Sequence, residues 1–265
     1  MKYSFMSFST PKLTLAEMLG LAKQLGYDGI EPRIDSGHAH GIELDAGPAA
    51  RKDAARRSAD AGIALCCVAT SCKYADPATR DEMVQATLRC IDLAADVGAP
   101  RIRVFGGAIP ESVSRADATA GIAEALKSVA GHAADRGVAV CIETHDDWCD
   151  PSQLAEVVRR ADHPVVAVNW DIMHPVRAAG WTIDDAYREL RPWVRHLHVH
   201  DGTREQDKIV LKPIGDGIVD HKRALELLKA DGYDGFISGE WIGWEPHEVH
   251  LPRELATLRR YESQV

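Results

Sequence analysis

The stretch Val138-Ala-Val-Cys-Ile-Glu143-Thr-His145-Asp-Asp-Trp148 joins an apolar run to a group of ionisable side chains. The run suits a buried strand, whereas a carboxylate and an imidazole at its carboxyl end do not suit an apolar core. Three later stretches repeat this design, namely Val165-Val-Ala-Val-Asn-Trp-Asp171-Ile-Met-His174, Val194-Arg-His-Leu-His198-Val-His200-Asp201 and Phe236-Ile-Ser-Gly-Glu240-Trp241. If the four strands lie side by side and parallel, their carboxyl ends bring three carboxylates and a histidine together.

Short apolar runs alternate with helical patterns along the whole chain, which gives about eight strand–helix units, the number that a (β/α)8 TIM barrel requires. Four helical patterns stop at a glycine just before the next apolar run: Gly26, Gly62, Gly98 and Gly137. An open doubly wound sheet fits the same alternation, but it would usually carry a glycine-rich phosphate loop after the first strand. No such loop follows the first strand here. We therefore predict an α/β fold, a (β/α)8 TIM barrel in which residues 1–265 form a single domain.

Local signals set several element boundaries. Thr14 is predicted to be the N-cap of a helix over 15–24, with Glu17 completing a capping box. The third apolar run, 63–70, is predicted to be one continuous strand. The segment after Asp201 is predicted to be a polar loop that carries Pro213-Ile-Gly215-Asp-Gly217-Ile-Val-Asp220.

Composition argues against several classes of protein. The chain has 265 residues, of which 45% are hydrophobic and 27% charged, as is ordinary for a globular protein. A net charge of −9 disfavours a nucleic-acid partner. Six cysteines without a C-x-x-C motif favour reduced, buried thiols. Since the chain has no run of eighteen apolar residues and no long apolar segment near its start, we expect a cytoplasmic protein that does not associate with membranes.

In a parallel barrel the active site lies where the strands end. Three carboxylates and one imidazole lie at or near such ends on the last four strands: Glu143, Asp171, His198 and Glu240. Alone, each could be a helix cap or a surface charge, but their coincidence favours a site for one divalent cation. Oxygen-rich ligands suit Mn²⁺ or Mg²⁺ best, and Co²⁺, Fe²⁺ or Zn²⁺ also accept them. Strand parity places His196, His198 and His200 on one side, so parity does not select the ligand.

These motifs resemble the xylose-isomerase-like TIM barrels, the sugar phosphate isomerase and epimerase family related to AP endonuclease family 2. The resemblance covers essentially the whole chain, and it is carried by Ile142-Glu143-Thr-His145, Asp171-Ile-Met-His174, His196-Leu-His198-Val-His-Asp201, Pro213-Ile-Gly-Asp-Gly-Ile-Val-Asp220 and Ser238-Gly-Glu240. It implies that the metal ligands are Glu143, Asp171, His198 and Glu240. It also implies assembly into a homodimer or homotetramer.

Four further residues are candidates for contact with substrate. The resemblance implies that His174, in a D-x-x-H motif, contacts substrate oxygens. His145 is expected to form a wall of the pocket, and Arg204 to hold substrate hydroxyls or an acidic group. Glu31, at the end of the second strand, is expected at the pocket rim. Each also fits a structural role as a hydrogen-bonding or solvent-facing loop residue.

Two reactions fit this set of residues. The first is isomerisation or epimerisation of a small sugar, sugar phosphate or related hydroxy-carbonyl compound. In that reaction Glu143 and Glu240 would move the proton, and the metal would stabilise a cis-enediolate. The alternative is a metal-dependent dehydratase of a cyclic polyol ketone, of the inosose or 3-dehydroshikimate type. A DNA-repair endonuclease is disfavoured, because Ala69-Thr70 and Phe105-Gly106 offer no histidine where that group has extra zinc ligands. A sugar-binding protein without a metal is the remaining class.

Overall fold

The computed structural model describes residues 1–205 and 208–265, apart from the side chains of residues 204, 205 and 208. The strands in this part are β1 (Lys2–Met6), β2 (Gly29–Glu31), β3 (Ala64–Leu65), β4 (Val68–Lys73), β5 (Arg101–Phe105), β6 (Ala139–Glu143), β7 (Val166–Asp171), β8 (Val194–Val199), β9 (Asp201–Glu205), β10 (Lys208–Lys212) and β11 (Phe236–Gly239). The α-helices are α1 (Leu15–Leu25), α2 (Pro48–Ala61), α3 (Arg80–Val97), α4 (Arg115–Arg136), α5 (Pro151–Ala161), α6 (Met173–Ala179), α7 (Ile183–Leu190), α8 (His221–Ala230) and α9 (His247–Ser263).

Nine of these strands form one parallel sheet in the order β3-β2-β1-β11-β8-β7-β6-β5-β4. The two ends of the sheet approach each other, because Arg33, just after β2, makes a parallel bridge to Ala69 of β4. The Ala69 N–H also donates to the Pro32 carbonyl at 2.9 Å. β3 and β4 together occupy one barrel position, so the sheet is a nearly closed eight-position barrel. The predicted (β/α)8 TIM barrel is confirmed.

Two predicted elements need correction. The run 63–70 is not continuous, because the chain changes partner between the two short strands: β3 pairs with β2, and β4 pairs with β5. The segment after Asp201 is not simply a loop, because β9 and β10 form an antiparallel hairpin in which Asp201 pairs with Lys212. The short apolar run Ile209-Val-Leu211, between Lys208 and Lys212, was a weak sequence signal for the second strand of this hairpin.

The predicted helix ends are confirmed. Thr14 caps α1 in a capping box: the Glu17 N–H donates to the Thr14 hydroxyl, and the Thr14 N–H donates to the Glu17 carboxylate at 2.8 Å. The four stop glycines adopt the left-handed conformation, with φ angles of 85°, 70°, 79° and 68° at Gly26, Gly62, Gly98 and Gly137. This conformation closes each helix before the chain enters the next strand.

The alternation of side chains along the strands separates the apolar core from the site. Outward residues pack under the helices; Trp170 of β7, for example, stacks on Tyr187 of α7 with ring centroids 5.4 Å apart. Inward residues near the carboxyl ends are polar and buried, including Glu31, Arg103, Glu143, Asn169, Asp171, His196 and His198. All six cysteines are buried free thiols, as expected. Among the described residues, no helix has both the length and the apolar character of a membrane span.

Candidate active site

The four proposed metal ligands meet at the carboxyl ends of β6, β7, β8 and β11. One ligand atom from each of Glu143, Asp171, His198 and Glu240 lies within 4.8 Å of the others. His198 lies at the centre: its Nδ1 is 2.6 Å from Glu143 Oε1 and 3.2 Å from Glu240 Oε2. All four residues are buried. The structure therefore brings together the residues that the sequence placed on four separate strands.

Strand register produces this convergence. Asp171 is the partner of His198 between β7 and β8, and Ser238, two residues before Glu240, is the partner of His198 between β8 and β11. Glu143 is the partner of Asn169 between β6 and β7. Because the strands are parallel and in this register, their inward side chains lie at one level.

Two carboxylates of the cluster, Asp171 and Glu240, are held in the ionised form. Burial alone would raise the pKa of Asp171, but His200 and His174 outweigh burial and hold it well below its usual range. Burial likewise opposes ionisation of Glu240, yet His198 lowers the Glu240 pKa to about 2. The cluster therefore presents negative charge to any cation that enters.

Two buried carboxylate oxygens, Glu143 Oε2 and Asp171 Oδ2, receive no hydrogen bond from the described part of the chain. Arg103 Nε lies 3.3 Å from the first and His200 Nε2 lies 2.9 Å from the second, but neither contact has hydrogen-bond geometry. Buried charge without a partner is costly. A divalent cation would compensate both oxygens, so the donor set fits Mn²⁺ or Mg²⁺.

His174 and His145 form one wall beside this cluster. His174 lies in the first turn of α6, and its Nε2 is 3.8 Å from Asp171 Oδ2. The His145 ring lies 4.7 Å from the His174 ring and 4.8 Å from the Phe105 ring, measured between centroids. The side chain of His145 is 34% exposed and that of His174 only 8%. The wall thus runs from the solvent towards Asp171.

The other two proposed substrate contacts have different outcomes. Arg204 belongs to β9, but its side chain lies outside the described residues. Glu31 is not at the pocket rim, because it is fully buried beneath His198. Its carboxylate contacts two imidazoles, with Oε2 2.8 Å from His196 Nε2 and Oε1 3.1 Å from His198 Nε2. This placement favours support of His198 over contact with substrate.

Two residues of the site were missed or underestimated from the sequence. Arg103 of β5 is only 1% exposed, and its guanidinium lies 3.9 Å from the centre of the Phe105 ring. The signal available was a charge in the middle of a short apolar strand. His200 was expected on the inward side, but its contact with Asp171 depends on strand register, which the sequence does not specify.

Asp201 explains the glycine-rich motif that follows it in the chain. Its carboxylate accepts backbone N–H groups at distances of 2.9 to 3.2 Å from four residues: Gly202, Gly215, Gly217 and Val219. A Cβ at Gly217 would lie 2.1 Å from Asp201 Oδ1, so the carboxylate fills the space that the glycine leaves. Asp201 therefore fixes the loop before α8.

A nearly closed parallel barrel, with ionisable side chains gathered at the carboxyl ends of its strands, defines the class of TIM barrel enzymes. Within that class, the chain belongs to the xylose isomerase-like TIM barrel family, whose model matches residues 19–261. The resemblance of the motifs is thereby confirmed at the level of the family.

Relatives in this family are epimerases and dehydratases, which confirms that it is a family of enzymes. The chain is 26% identical over 150 residues to 3-dehydroshikimate dehydratase of Bacillus anthracis. That match covers 50% of this chain and spans only about half, 52%, of the length of the dehydratase. It is 26% identical over 232 residues to L-ribulose-5-phosphate 3-epimerase UlaE of Salmonella typhimurium strain LT2, covering 83% and 79% of the two chains. A crystal structure of D-psicose 3-epimerase in the presence of D-fructose matches the fold with a TM-score of 0.81 at 20% identity, covering 99% of each chain.

Proposed function

We propose that the chain is a divalent-metal-dependent isomerase or epimerase of a small sugar, sugar phosphate or related hydroxy-carbonyl compound. Glu143 and Glu240 carry this proposal, because they approach one nitrogen of His198 from two strands, at 2.6 and 3.2 Å. Isomerisation beside a carbonyl needs one group that takes a proton from carbon and one that returns it. Two carboxyl groups that face one point can supply both functions, Glu143 as the acceptor and Glu240 as the donor once it has taken up a proton.

Each side chain of the site has a separate role in this reaction. A cation held by Glu143, Asp171, His198 and Glu240 would supply Lewis acidity at a carbonyl oxygen. Glu143 takes the proton from the neighbouring carbon. Glu240, after taking up a proton from solvent, returns a proton to carbon from its own side of the pocket, and Glu143 releases its proton to solvent. His174 and His145 donate hydrogen bonds to substrate oxygens from the adjacent wall. Burial of the cluster excludes water, which strengthens each of these interactions.

Exchange of substrate hydrogen with solvent tests this proposal directly. The Mn²⁺-loaded protein would be incubated in D₂O with ketoses, ketose phosphates, hydroxypyruvate, an inosose and 3-dehydroshikimate, and deuterium at carbon would be followed by NMR. Glu143→Gln, at saturating Mn²⁺ and with its bound metal measured, should abolish the exchange that the wild type shows. Exchange by that variant at the wild-type rate would show that Glu143 is not the base.

The matched control is Glu254→Gln. Glu254 is another fully buried glutamate, but its carboxylate accepts the Ile214 N–H at 2.7 Å and pairs with Arg253 outside the cluster. The control should retain exchange at the wild-type rate. Exchange lost in both variants would point to a general loss of folding, and circular dichroism would detect that loss.

One observation favours the dehydratase as a second candidate. Arg103 places a buried guanidinium beside the proposed base, with Nε 3.3 Å from Glu143 Oε2. A fixed cation at this point suits a substrate that carries a carboxylate, as a dehydroshikimate does. Glu143 would take the proton beside the ketone. The β-hydroxyl would leave as water with a proton that Glu240 had taken up from solvent, and Glu143 would then release its proton to solvent.

Absorbance separates the two candidates, because elimination of water extends the conjugation of the ketone and isomerisation of a ketose does not. If the chain is a dehydratase of an acid substrate, Arg103→Met should raise KM for that substrate far more than it lowers kcat. An exchange reaction on neutral ketoses without a conjugated product would favour the isomerase.

A further inference from the structure

A buried carboxylate lies on the side of His198 that faces away from the cluster. Glu31 Oε1 is 3.1 Å from His198 Nε2, whereas Glu143 and Glu240 approach Nδ1. The second oxygen, Glu31 Oε2, is 2.8 Å from His196 Nε2. Glu31, His196 and His198 are each 0% exposed. Barrel closure brings Glu31 here from β2, which lies three positions away from β8 in the sheet.

The two nitrogens of His198 therefore have different surroundings. A neutral imidazole has one N–H donor and one lone pair, and only the lone pair can bind a cation. The cluster lies at Nδ1, so a neutral His198 that binds a cation there must carry its proton on Nε2. An ionised carboxylate is an acceptor only, and Glu31 is placed to receive that proton's hydrogen bond.

A rival assignment would make Glu31 a ligand in its own deeper metal site with His196 and Cys66, whose potential ligand atoms lie within 4.8 Å of one another. Cys66 argues against this assignment. Its thiol donates to the Ser4 hydroxyl at 3.2 Å, and burial raises its pKa to about 12. A metal binds the thiolate, which this environment opposes. Glu31 therefore has the two imidazoles as its partners.

We propose that Glu31 is a positioning residue, which holds His198 with its proton on Nε2 and its Nδ1 lone pair aimed at the cation, while His196 holds Glu31 in place. The proposal rests on the proposed function, because it assumes that the cluster binds a divalent cation. Carboxylates that orient a ligating histidine in this way typically change metal affinity about 10- to 100-fold when removed.

Mn²⁺ affinity tests the proposal without reference to catalysis. Metal-depleted protein would be titrated with Mn²⁺, and free Mn²⁺ would be measured by electron paramagnetic resonance. Glu31→Gln should weaken binding about 10- to 100-fold, because one amide oxygen cannot accept from both imidazoles. Asp171→Asn, which changes a direct ligand, should weaken it more, and Glu254→Gln should stay within about twofold of wild type.

A second measurement needs no variant, so it holds even if Glu31→Gln does not fold. Nitrogen-15 NMR of the histidine side chains in the Mg²⁺-loaded wild type should show His198 with its proton on Nε2. A proton on Nδ1, or Glu31→Gln binding Mn²⁺ as tightly as wild type, would overturn the positioning role and leave the metal site intact. A wild type that binds no divalent cation would overturn the proposed function as well.

Discussion

Removal of the cation is expected to lower the melting temperature by an amount that follows from affinity. A cation that binds only the folded chain, at a free concentration of 100 times Kd, adds about 2.7 kcal/mol to the free energy of unfolding. Unfolding entropy is about 2.1 cal/mol/K per residue, or about 560 cal/mol/K for 265 residues. The ratio of the two predicts that Mn²⁺ raises Tm by about 5 °C.

Asp171→Asn is the variant that links this shift to the cluster. If it weakens affinity a hundredfold, the same Mn²⁺ concentration equals its Kd and adds only RT ln 2, about 0.4 kcal/mol. The shift should then shrink to about 0.7 °C. Differential scanning calorimetry with chelator and with Mn²⁺ measures both shifts. Equal Tm values for the wild type in the two conditions, or an undiminished shift in Asp171→Asn, would refute the assigned site.

Three further predictions concern the scaffold around the site. Gly106→Ala would place a Cβ 2.1 Å from the buried Trp148 ring and should lower the free energy of unfolding in urea by about 1–3 kcal/mol. Gly131→Ala, in helix α4 with open space around it, should raise that free energy by about 0.5–1 kcal/mol. Burial lowers the pKa of His40 to about 4, so below pH 6.5 the unfolded chain binds more protons than the folded chain, and the free energy of unfolding falls towards pH 4. Urea unfolding at pH 7 and pH 5 should show that His40→Asn reduces the difference in this free energy between the two pH values by about 2 kcal/mol. Asp201→Asn should lower the free energy of unfolding by about 1–3 kcal/mol in the same assay, because it weakens the hydrogen bonds that fix the loop before α8. The backbone N–H groups of Gly215 and Gly217 should then exchange with solvent faster than in the wild type.

The repeat of strand, helix and stop glycine made the barrel predictable from sequence, because each of these signals is local. The positions of Glu143 and Asp171 were predictable for the same reason: a charge that ends an apolar run must lie where a strand leaves the core. Period-two alternation also placed His196, His198 and His200 on one side.

Contacts across the barrel interior were not predictable in this way. Glu31 meets His198 from a strand three positions away, and that meeting depends on how the sheet closes. Arg103 reaches Glu143 from the neighbouring strand β5, and that contact depends on the register between β5 and β6. α6 was missed because Pro175 interrupts its helical signal, although proline is tolerated in a first turn. Local sequence patterns specify which way a side chain points, but not what it meets.

In Asp171 and His198, one polar atom of the side chain supports the surrounding structure and the other faces the cluster. Asp171 Oδ1 accepts the N–H groups of Met173 and His174 and so starts α6, while Oδ2 has no hydrogen bond from the described residues. His198 likewise has Nε2 beside Glu31 and Nδ1 in the cluster. Asp171→Asn can keep the acceptor that starts α6 while losing the charge, whereas Asp171→Ala would lose both. Isosteric amide variants therefore separate the proposed metal binding from folding in this barrel, and truncation to alanine does not.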